Sequence, residues 1–238
     1  MIRKHVPNAI TCLNLFSGCI AIVYAFEEAY LTAALFIALA AVFDFLDGFA
    51  ARLLKAYSNM GKELDSLADV VSFGVAPGVM AYSFIASQAM NMGSPVWLAW
   101  FGFLIPVFSA LRLAKFNLDE RQSSSFLVLP TPANALFWAF GIGSSFNFFL
   151  NYTFDPIILV VGILVFSALL VLEIPMFALK FKDFHWKGNR LRYYFLMGCV
   201  ILLVLLNVNG ISACVVWYIL LSILNYGFIK KRRINKFI

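Results

Sequence analysis

Long apolar runs constrain this sequence more than any other feature. A helix that crosses a bilayer needs about 17–25 apolar residues, and such runs fall at approximately 10–27, 30–54, 64–88, 95–117, 132–151, 156–177, 192–208 and 211–229. Only 13% of the 238 residues are charged, whereas soluble domains carry about 25%. We therefore predict an all-α integral membrane protein with about eight transmembrane helices.

Basic residues alternate with the apolar runs. Loops rich in Lys and Arg lie near Arg3 and Lys4, Lys55 and Lys62, Lys115 and Arg121, the segment Lys180, Lys182, Lys187 and Arg190, and the tail at 230–233. The other loops, near Glu27 and at 88–94, 151–155 and 207–210, contain neither residue. Because cytoplasmic loops are enriched in Lys and Arg, this alternation predicts that both termini are cytoplasmic. The same pattern gives no support to nucleic-acid binding, despite a net charge of +6.

Four aspartates stand out within the second and third runs. Residues 44–69 follow the pattern D-x2-D-G-x2-A-R-x8-G-x3-D-x3-D. One helix face would carry Asp44, Asp47, Gly48 and Ala51, and the face of the next helix would carry Gly61, Asp65 and Asp69. We expect the two helices to form an antiparallel hairpin whose facing stripes bring the four carboxylates together.

Such a cluster needs a cation. A carboxylate at the centre of a membrane helix costs about 2.5–3.5 kcal/mol, and four converging negative charges would repel one another. Oxygen-only ligands suit hard divalent ions such as Mg²⁺ or Mn²⁺, and two bridged metals are a recurring device for phosphoryl transfer. We predict that Asp44, Asp47, Asp65 and Asp69 bind two divalent cations.

Small residues accompany the aspartates. Gly48, Ala51 and Gly61 lie on the carboxylate faces. Alone, they would favour close helix packing, which is common between membrane helices. Together with four aspartates and Arg52 in register, they favour a ligand pocket.

This pattern resembles the signature of the CDP-alcohol phosphotransferases at all of its fixed positions. The resemblance implies that the four aspartates bind a pair of metals and that Asp69 is also the general base for the acceptor hydroxyl. It further implies that Gly48, Arg52 and Ser58 contact the CDP part of a lipid donor, with Ala51 and Gly61 beside it. Membership would make the chain a transferase that acts on CDP-diacylglycerol, and homodimers are usual in the family.

Segments outside the signature resemble the phosphatidylserine synthase branch. They comprise Pro7-Asn-Ala-Ile-Thr11 with Asn14 and Gly18, Ser72-Phe-Gly-Val-Ala-Pro-Gly78, Arg112-Leu-Ala-Lys-Phe-Asn117 and Leu129-Pro-Thr-Pro-Ala-Asn134. In that branch an Asn and a Thr help to hold the nucleotide, which implies this role for Asn8 and Thr11, although Asn8 is also suited to capping a helix N-terminus. Val128 stands where Gly is expected.

Arg112 lies inside the fourth apolar run, where an unpaired guanidinium is costly. A serine carboxylate or a lipid phosphate would satisfy it; alternatively, it snorkels to the interface or pairs with an aspartate. With Lys115 and Asn117 it is the candidate binding site for the acceptor. L-serine is the expected acceptor, and glycerol 3-phosphate or inositol phosphate is the alternative.

A cation transporter lined by the same carboxylates is a distant alternative, because intramembrane carboxylates often mark ion pathways. It leaves the spacing of Arg52 and the small residues unexplained. We expect one helical membrane domain over 1–238, with the catalytic core at about 1–190 and a C-terminal helix pair at about 191–238. The expected location is the cell (inner) membrane, with the active site near the cytoplasmic face.

Overall fold

A computed structural model describes residues 5–118, 128–144, 155–174, 176, 177, 179 and 185–234. The helices are α1 (Val6–Phe26), α2 (Tyr30–Leu53), α3 (Asn59–Asp69), α4 (Ala76–Met92), α5 (Leu104–Leu118), α6 (Thr131–Gly143), α7 (Pro156–Val171), α8 (Trp186–Leu206) and α9 (Gly210–Ile234). A π-helical turn, Val70–Val75, joins α3 to α4, and a 3-10 helix, Val96–Phe103, leads into α5. The chain is thus a helical protein, as the apolar runs predict.

Five stretches of the described chain are long and apolar enough to cross a membrane: Val6–Phe26, Tyr30–Leu53, Asn59–Met92, Val96–Leu118 and Asn189–Tyr226. The last has 38 residues, nearly twice what one crossing needs. It contains α8 and α9, which fold back on each other, since Trp217 Nε1 donates to the Tyr194 carbonyl and Cys214 Sγ lies 3.8 Å from the Cys199 carbonyl. Helix α7 is shorter, with 16 residues.

The count of eight spans and the cytoplasmic termini therefore remain predictions. Residues 145–151 of the fifth predicted span lie outside the described residues. So do Arg3, Lys4, Arg121, Lys180 and Lys182, which contributed to the predicted orientation. The coarser conclusion, a membrane protein built from helices, rests on the five stretches.

Alanines allow α1 and α2 to pack closely. Ala21 and Ala25 on α1, and Ala33, Ala34 and Ala40 on α2, are fully buried. Small residues let helix backbones approach each other in membranes, where packing rather than water exclusion holds helices together. Large apolar side chains such as those of Phe16, Val23 and Phe45 are instead mostly exposed at the outer surface. Small residues therefore hold α1 and α2 together, and the outer surface carries bulky apolar side chains that suit contact with lipid.

The signature helices do not form the simple hairpin that the spacing suggested. Helix α1 packs against both α2 and α3, whereas α2 and α3 make few backbone contacts with each other. Five residues, 54–58, connect α2 to α3; within them Lys55 has a positive φ of 50°, and Ser58 caps α3 by accepting from the Gly61 N–H. The two carboxylate faces therefore converge across a gap, with α1 beside it.

A π-helical turn follows Asp69 directly. Pro77 lies within the first two residues of α4, and a proline ring clashes with the carbonyl four residues earlier while leaving it without a donor. The wider turn at Val70–Val75 accommodates that missing bond. Sequence analysis expected a kink from Pro77; the structure has a π-helical turn, a feature often found at functional sites.

Candidate active site

Three aspartates form the centre of the site. Asp44 and Asp47 on α2 and Asp65 on α3 each offer a carboxylate oxygen, and these oxygens lie within 4.8 Å of one another. Asp47 is only 6% exposed. Among the described residues no Lys or Arg nitrogen lies within 4 Å of these carboxylates. Three close carboxylates with no paired cation are suited to a hard divalent metal ion.

Asp69 lies one turn further along α3. It is the last residue of that helix and is 7% exposed. Its Oδ1 accepts a hydrogen bond of 3.3 Å from Asn14 Nδ2. It is not part of the group of three oxygens within 4.8 Å. The structure thus separates the four predicted ligands into a tight set of three and a neighbouring, individually held Asp69.

Helix α1 positions two of the four aspartates. Thr11 Oγ1 lies 2.6 Å from Asp47 Oδ2 and 3.1 Å from the Pro7 carbonyl. A hydroxyl has one proton, and the shorter distance to a charged acceptor assigns it to Asp47. Asn14, three residues later on the same face, donates to Asp69. These hydrogen bonds fix the orientation of both carboxylates.

Close contact between α1 and the π-helical turn keeps Asn14 in place. Ser72 Oγ donates to the Asn14 carbonyl at 3.0 Å. A Cβ on Gly18 would lie 2.8 Å from the Ser72 Cα and would also overlap the Ser72 hydroxyl. Glycine at position 18 is therefore required for this approach.

A cavity of about 260 Å³, lined by both polar and apolar groups, opens beside the aspartates. We call it the site cavity; it is lined by Pro7, Asn8, Thr11, Asp47, Gly48, Ala51, Arg52, Ala56, Tyr57, Ser58, Gly61, Lys62 and Asp65. All seven residues predicted to bind the CDP-lipid are in this set. The structure thus brings residues from α1, α2, α3 and the 54–58 connection to one space next to the aspartate cluster.

The two alternatives for the small residues can now be separated. A Cβ on Gly48 would meet none of the described residues within 4 Å, so this glycine lines open space and does not serve helix packing. A Cβ on Gly61 would lie 3.0 Å from both Asn8 Oδ1 and Ser58 Oγ. Gly48 therefore keeps the cavity open, and Gly61 allows α1 to approach the start of α3.

Asn8 does not cap α1. The residue before that helix is His5, and Asn8 already lies within the first turn. Its side chain lines the site cavity. The capping role considered for Asn8 from sequence is therefore wrong. Its position in the cavity agrees with the other role, nucleotide binding.

Arg112 on α5 does not snorkel to the interface. It is only 6% exposed. Its Nη1 donates to Thr131 Oγ1 at 3.1 Å, and its guanidinium lies 5.3 Å from the centre of the Phe116 ring. Asp69 and Asp44 are the acidic groups in electrostatic range, but neither is within 4 Å. Arg112 is thus a buried cation with no direct ion pair among the described residues, and its Nε has no hydrogen-bond partner there.

The other two predicted acceptor residues hold α5 in place. Lys115 Nζ pairs with Glu173 at 2.8 Å, and both side chains are about half exposed. Asn117 Nδ2 donates to Ser66 Oγ at 2.8 Å, while Lys62 Nζ donates to the Asn117 carbonyl. Asn117 therefore fastens α5 to α3, and neither Lys115 nor Asn117 forms a hydrogen bond or ion pair with the four aspartates.

Sequence reasoning did not assign several residues of the site. Asn14 had a detectable signal, since it follows Thr11 by three positions on one helix face. Lys62 and Tyr57 line the cavity from outside the signature positions, and Thr131 reaches Arg112 from a distant helix. For these three the sequence carries no spacing that points to the site.

Comparisons with known proteins agree with this geometry. Residues 4–172 match the model of the CDP-alcohol phosphatidyltransferase family. A CDP-diacylglycerol–serine O-phosphatidyltransferase from Bacillus subtilis is 35% identical over 171 residues, which cover 72% of this chain and 89% of that protein. Proteins of the same name from Helicobacter pylori (strain 26695) and Mycobacterium leprae are 37% and 42% identical; each alignment covers 55% of this chain, with 54% and 44% of the relatives.

The match to the family covers the whole signature, the π-helical turn and Arg112. The chain spans most of the Bacillus relative and about half the length of the other two. The aspartate cluster, the cavity beside it and these similarities lead to one assignment. The chain belongs to the CDP-alcohol phosphatidyltransferase family.

Proposed function

We propose that the protein transfers a phosphatidyl group from CDP-diacylglycerol to the hydroxyl of L-serine, giving phosphatidylserine and CMP. The observation that carries the proposal is the cluster of Asp44, Asp47 and Asp65 beside a cavity lined by the predicted nucleotide-binding residues. The names of the relatives support serine as the acceptor.

Two divalent cations, Mg²⁺ or Mn²⁺, fit the donor set. Asp44, Asp47 and Asp65 would hold them together with Asp69, which lies one turn away. When bound, such ions neutralise the carboxylates and stabilise the charge that develops on the pyrophosphate. The hydrogen bond from Thr11 keeps Asp47 oriented toward the group.

The donor occupies the site cavity in this proposal. Arg52 and Lys62 supply positive charge beside the pyrophosphate. Asn8, Thr11, Gly48, Ala51, Ser58 and Gly61 form the walls against which the nucleotide packs. Because Gly48 leaves its space open, the donor can approach the α2 backbone.

Asp69 acts as the general base. The serine hydroxyl transfers its proton to the Asp69 carboxylate, the serine oxygen forms a bond to the phosphorus of the phosphatidyl group, and the bond from that phosphorus to CMP breaks. Asn14 holds Asp69 Oδ1, which leaves Oδ2 available for the proton. The phosphatidyl product remains in the bilayer.

Arg112 anchors the anionic group of the acceptor. It is a buried guanidinium near Asp69, and it has no ion pair within the part of the chain that the structure describes. One such cation suits a carboxylate, whereas a phosphate dianion calls for several cations. Lys115 pairs with Glu173, and Asn117 fastens α5 to α3. Both residues therefore help to hold the helix that carries Arg112 and do not bind the acceptor themselves. This distribution favours serine over glycerol 3-phosphate or inositol phosphate.

The proposal places the active site near the cytoplasmic face of the cell membrane. Arg52, Lys55 and Lys62 surround the carboxylate end of α2 and α3, and Glu27 and Glu28 lie at the opposite end of α1. That asymmetry follows the positive-inside rule. A homodimer is proposed by analogy with the family.

The test is CMP release by purified protein supplied with CDP-diacylglycerol and Mg²⁺ or Mn²⁺. Serine, glycerol 3-phosphate and inositol 1-phosphate are offered separately. We expect release that requires both the metal and serine. Release with a different acceptor would support the transfer reaction but contradict serine as the acceptor. The absence of release with every acceptor would contradict the transferase reaction itself.

A further inference from the structure

A group of buried polar side chains lies beyond the site cavity. We call it the α5–α6 cluster; it consists of Ser109 and Arg112 on α5 and of Thr131 and Asn134 on α6. Ser109, Thr131 and Asn134 are fully buried, and Arg112 is 6% exposed. The hydrogen bond from Arg112 to Thr131 is the only one that joins two members of the cluster.

The two helices run antiparallel, which places these residues opposite each other. Asn117 near the end of α5 contacts Ser66 at the carboxylate end of the bundle, whereas Gly143 at the end of α6 lies against Tyr30, at the opposite end of α2. Ser109 precedes Arg112 by one turn, and Asn134 follows Thr131 by one turn. Asn134 therefore lies one turn further from the carboxylate end of the bundle than Thr131, the partner of Arg112.

Four atoms of the cluster have no hydrogen-bond partner among the described residues: Ser109 Oγ, Arg112 Nε, Asn134 Nδ2 and Asn134 Oδ1. Buried polar side chains are almost always bonded in native proteins, and each unsatisfied group is costly. Ser109 packs against the π-helical turn, since a Cβ on Gly74 would lie 3.3 Å from its Cβ. The unpartnered atoms thus lie next to the turn that follows Asp69.

We propose that Asn134 is a specificity-determining residue that binds the ammonium group of the amino-acid acceptor. The inference rests on the proposed function and deepens it. The Arg112 guanidinium, held by Thr131, pairs with the acceptor carboxylate, and the amide oxygen of Asn134 accepts a hydrogen bond from the ammonium. A neutral amide suits this role because an additional buried carboxylate would repel Asp69.

The test uses Asn134→Leu in the full-length protein. Leucine has a similar volume, and a buried amide without a partner lowers stability, so the thermal midpoint should stay the same or rise. The KM for serine should increase about 10- to 100-fold, as expected for a lost hydrogen bond to a charged group, while the KM for CDP-diacylglycerol stays constant. Asn134→Ala is the second variant if leucine prevents folding.

Acceptor analogues identify the group that Asn134 recognises. 3-Hydroxypropionate lacks the ammonium of serine, and ethanolamine lacks its carboxylate. Asn134→Leu should reduce the preference for serine over 3-hydroxypropionate by about tenfold or more and leave the preference over ethanolamine within about threefold. The matched control is Gln88→Leu, which removes another buried, unpartnered amide oxygen. At 1.5 Å of helix rise per residue, Gln88 lies about 28 Å from Asp69 along the helix axis.

The outcomes separate the two proposals. If the wild-type protein shows no serine-dependent CMP release, the proposed function itself fails. If it does, and Asn134→Leu leaves the serine KM and the analogue preference unchanged, only the role of Asn134 fails. A lowered thermal midpoint with both KM values raised would make Asn134 structural and would also overturn the inference.

Discussion

The site cavity and the α5–α6 cluster, the proposed donor and acceptor sides of the site, have opposite construction. The cavity is open and is lined mainly by residues between Asp47 and Asp65, which are close together in sequence. A Cβ added at Gly48 would point into open space. The cluster is closed and comes from two helices whose partners are 19 or more residues apart. In the proposed function, the open cavity admits a large nucleotide and the closed cluster encloses a small, charged acceptor.

The largest expected effect comes from changing Asp69, the proposed general base. Asp69→Asn should lower serine-dependent CMP release by about 10²–10⁴-fold, the usual contribution of a general base. The protein should still insert in membranes and keep its helical circular dichroism. The matched control is Glu63→Gln, which removes an exposed carboxylate on the same helix. Near-normal turnover in Asp69→Asn would exclude the assigned base.

A second test concerns the hydrogen bond that Thr11 on α1 gives to Asp47, a proposed metal ligand. Thr11→Val removes the donor to Asp47 and should weaken Mn²⁺ binding about 10- to 100-fold, as is typical when a hydrogen bond to a ligand is lost. Electron paramagnetic resonance of bound Mn²⁺ measures this without turnover. Thr11→Ser, which keeps the hydroxyl, should restore most of the affinity; equal losses in both variants would contradict the role of the hydroxyl.

A third test compares two glycines. Gly48→Leu should raise the KM for CDP-diacylglycerol about tenfold or more, equivalent to about 1.4 kcal/mol, with little loss of stability, because its Cβ position is open. Gly18→Ala should instead destabilise the fold by about 1–3 kcal/mol through overpacking against Ser72. Thermal unfolding in detergent distinguishes the two. A large stability loss in Gly48→Leu would mean that this glycine serves packing after all.

The smallest effect is expected at the periphery of the acceptor side. Lys115→Met breaks an exposed ion pair with Glu173, and such pairs contribute about 0–1 kcal/mol. The KM for serine should change less than about threefold. An increase above tenfold would indicate that Lys115 contacts the acceptor directly. It would then favour an acceptor that carries a phosphate, such as glycerol 3-phosphate or inositol phosphate.

Sequence reasoning predicted the signature side well because its information is local. Helical periodicity places Asp44, Asp47 and Gly48 on one face, and the cost of charge in a membrane requires them to converge on a cation. The predicted hairpin between α2 and α3 was nevertheless too simple. Spacing within two helices does not reveal that α1 packs against both and supplies hydrogen bonds to Asp47 and Asp69.

The acceptor side could not be predicted in the same way. Arg112 was recognised because a buried guanidinium is costly, but its partner Thr131 comes from another helix. Lys115 and Asn117 shared its segment and so its predicted role, although helix geometry directs one to Glu173 and the other to Ser66. Adjacent positions on a helix point in different directions, and only packing decides which one faces the site.

The sequence by itself determined the helical membrane class, the acidic signature and the family, because hydropathy and the spacing of charges depend on residues near one another in the chain. The tertiary structure decided the separation of Asp69 from the other three aspartates, the open space at Gly48 and the grouping of Arg112 with Thr131. These features depend on how helices distant in sequence approach one another, and that approach is set by packing of small residues and by the π-helical turn.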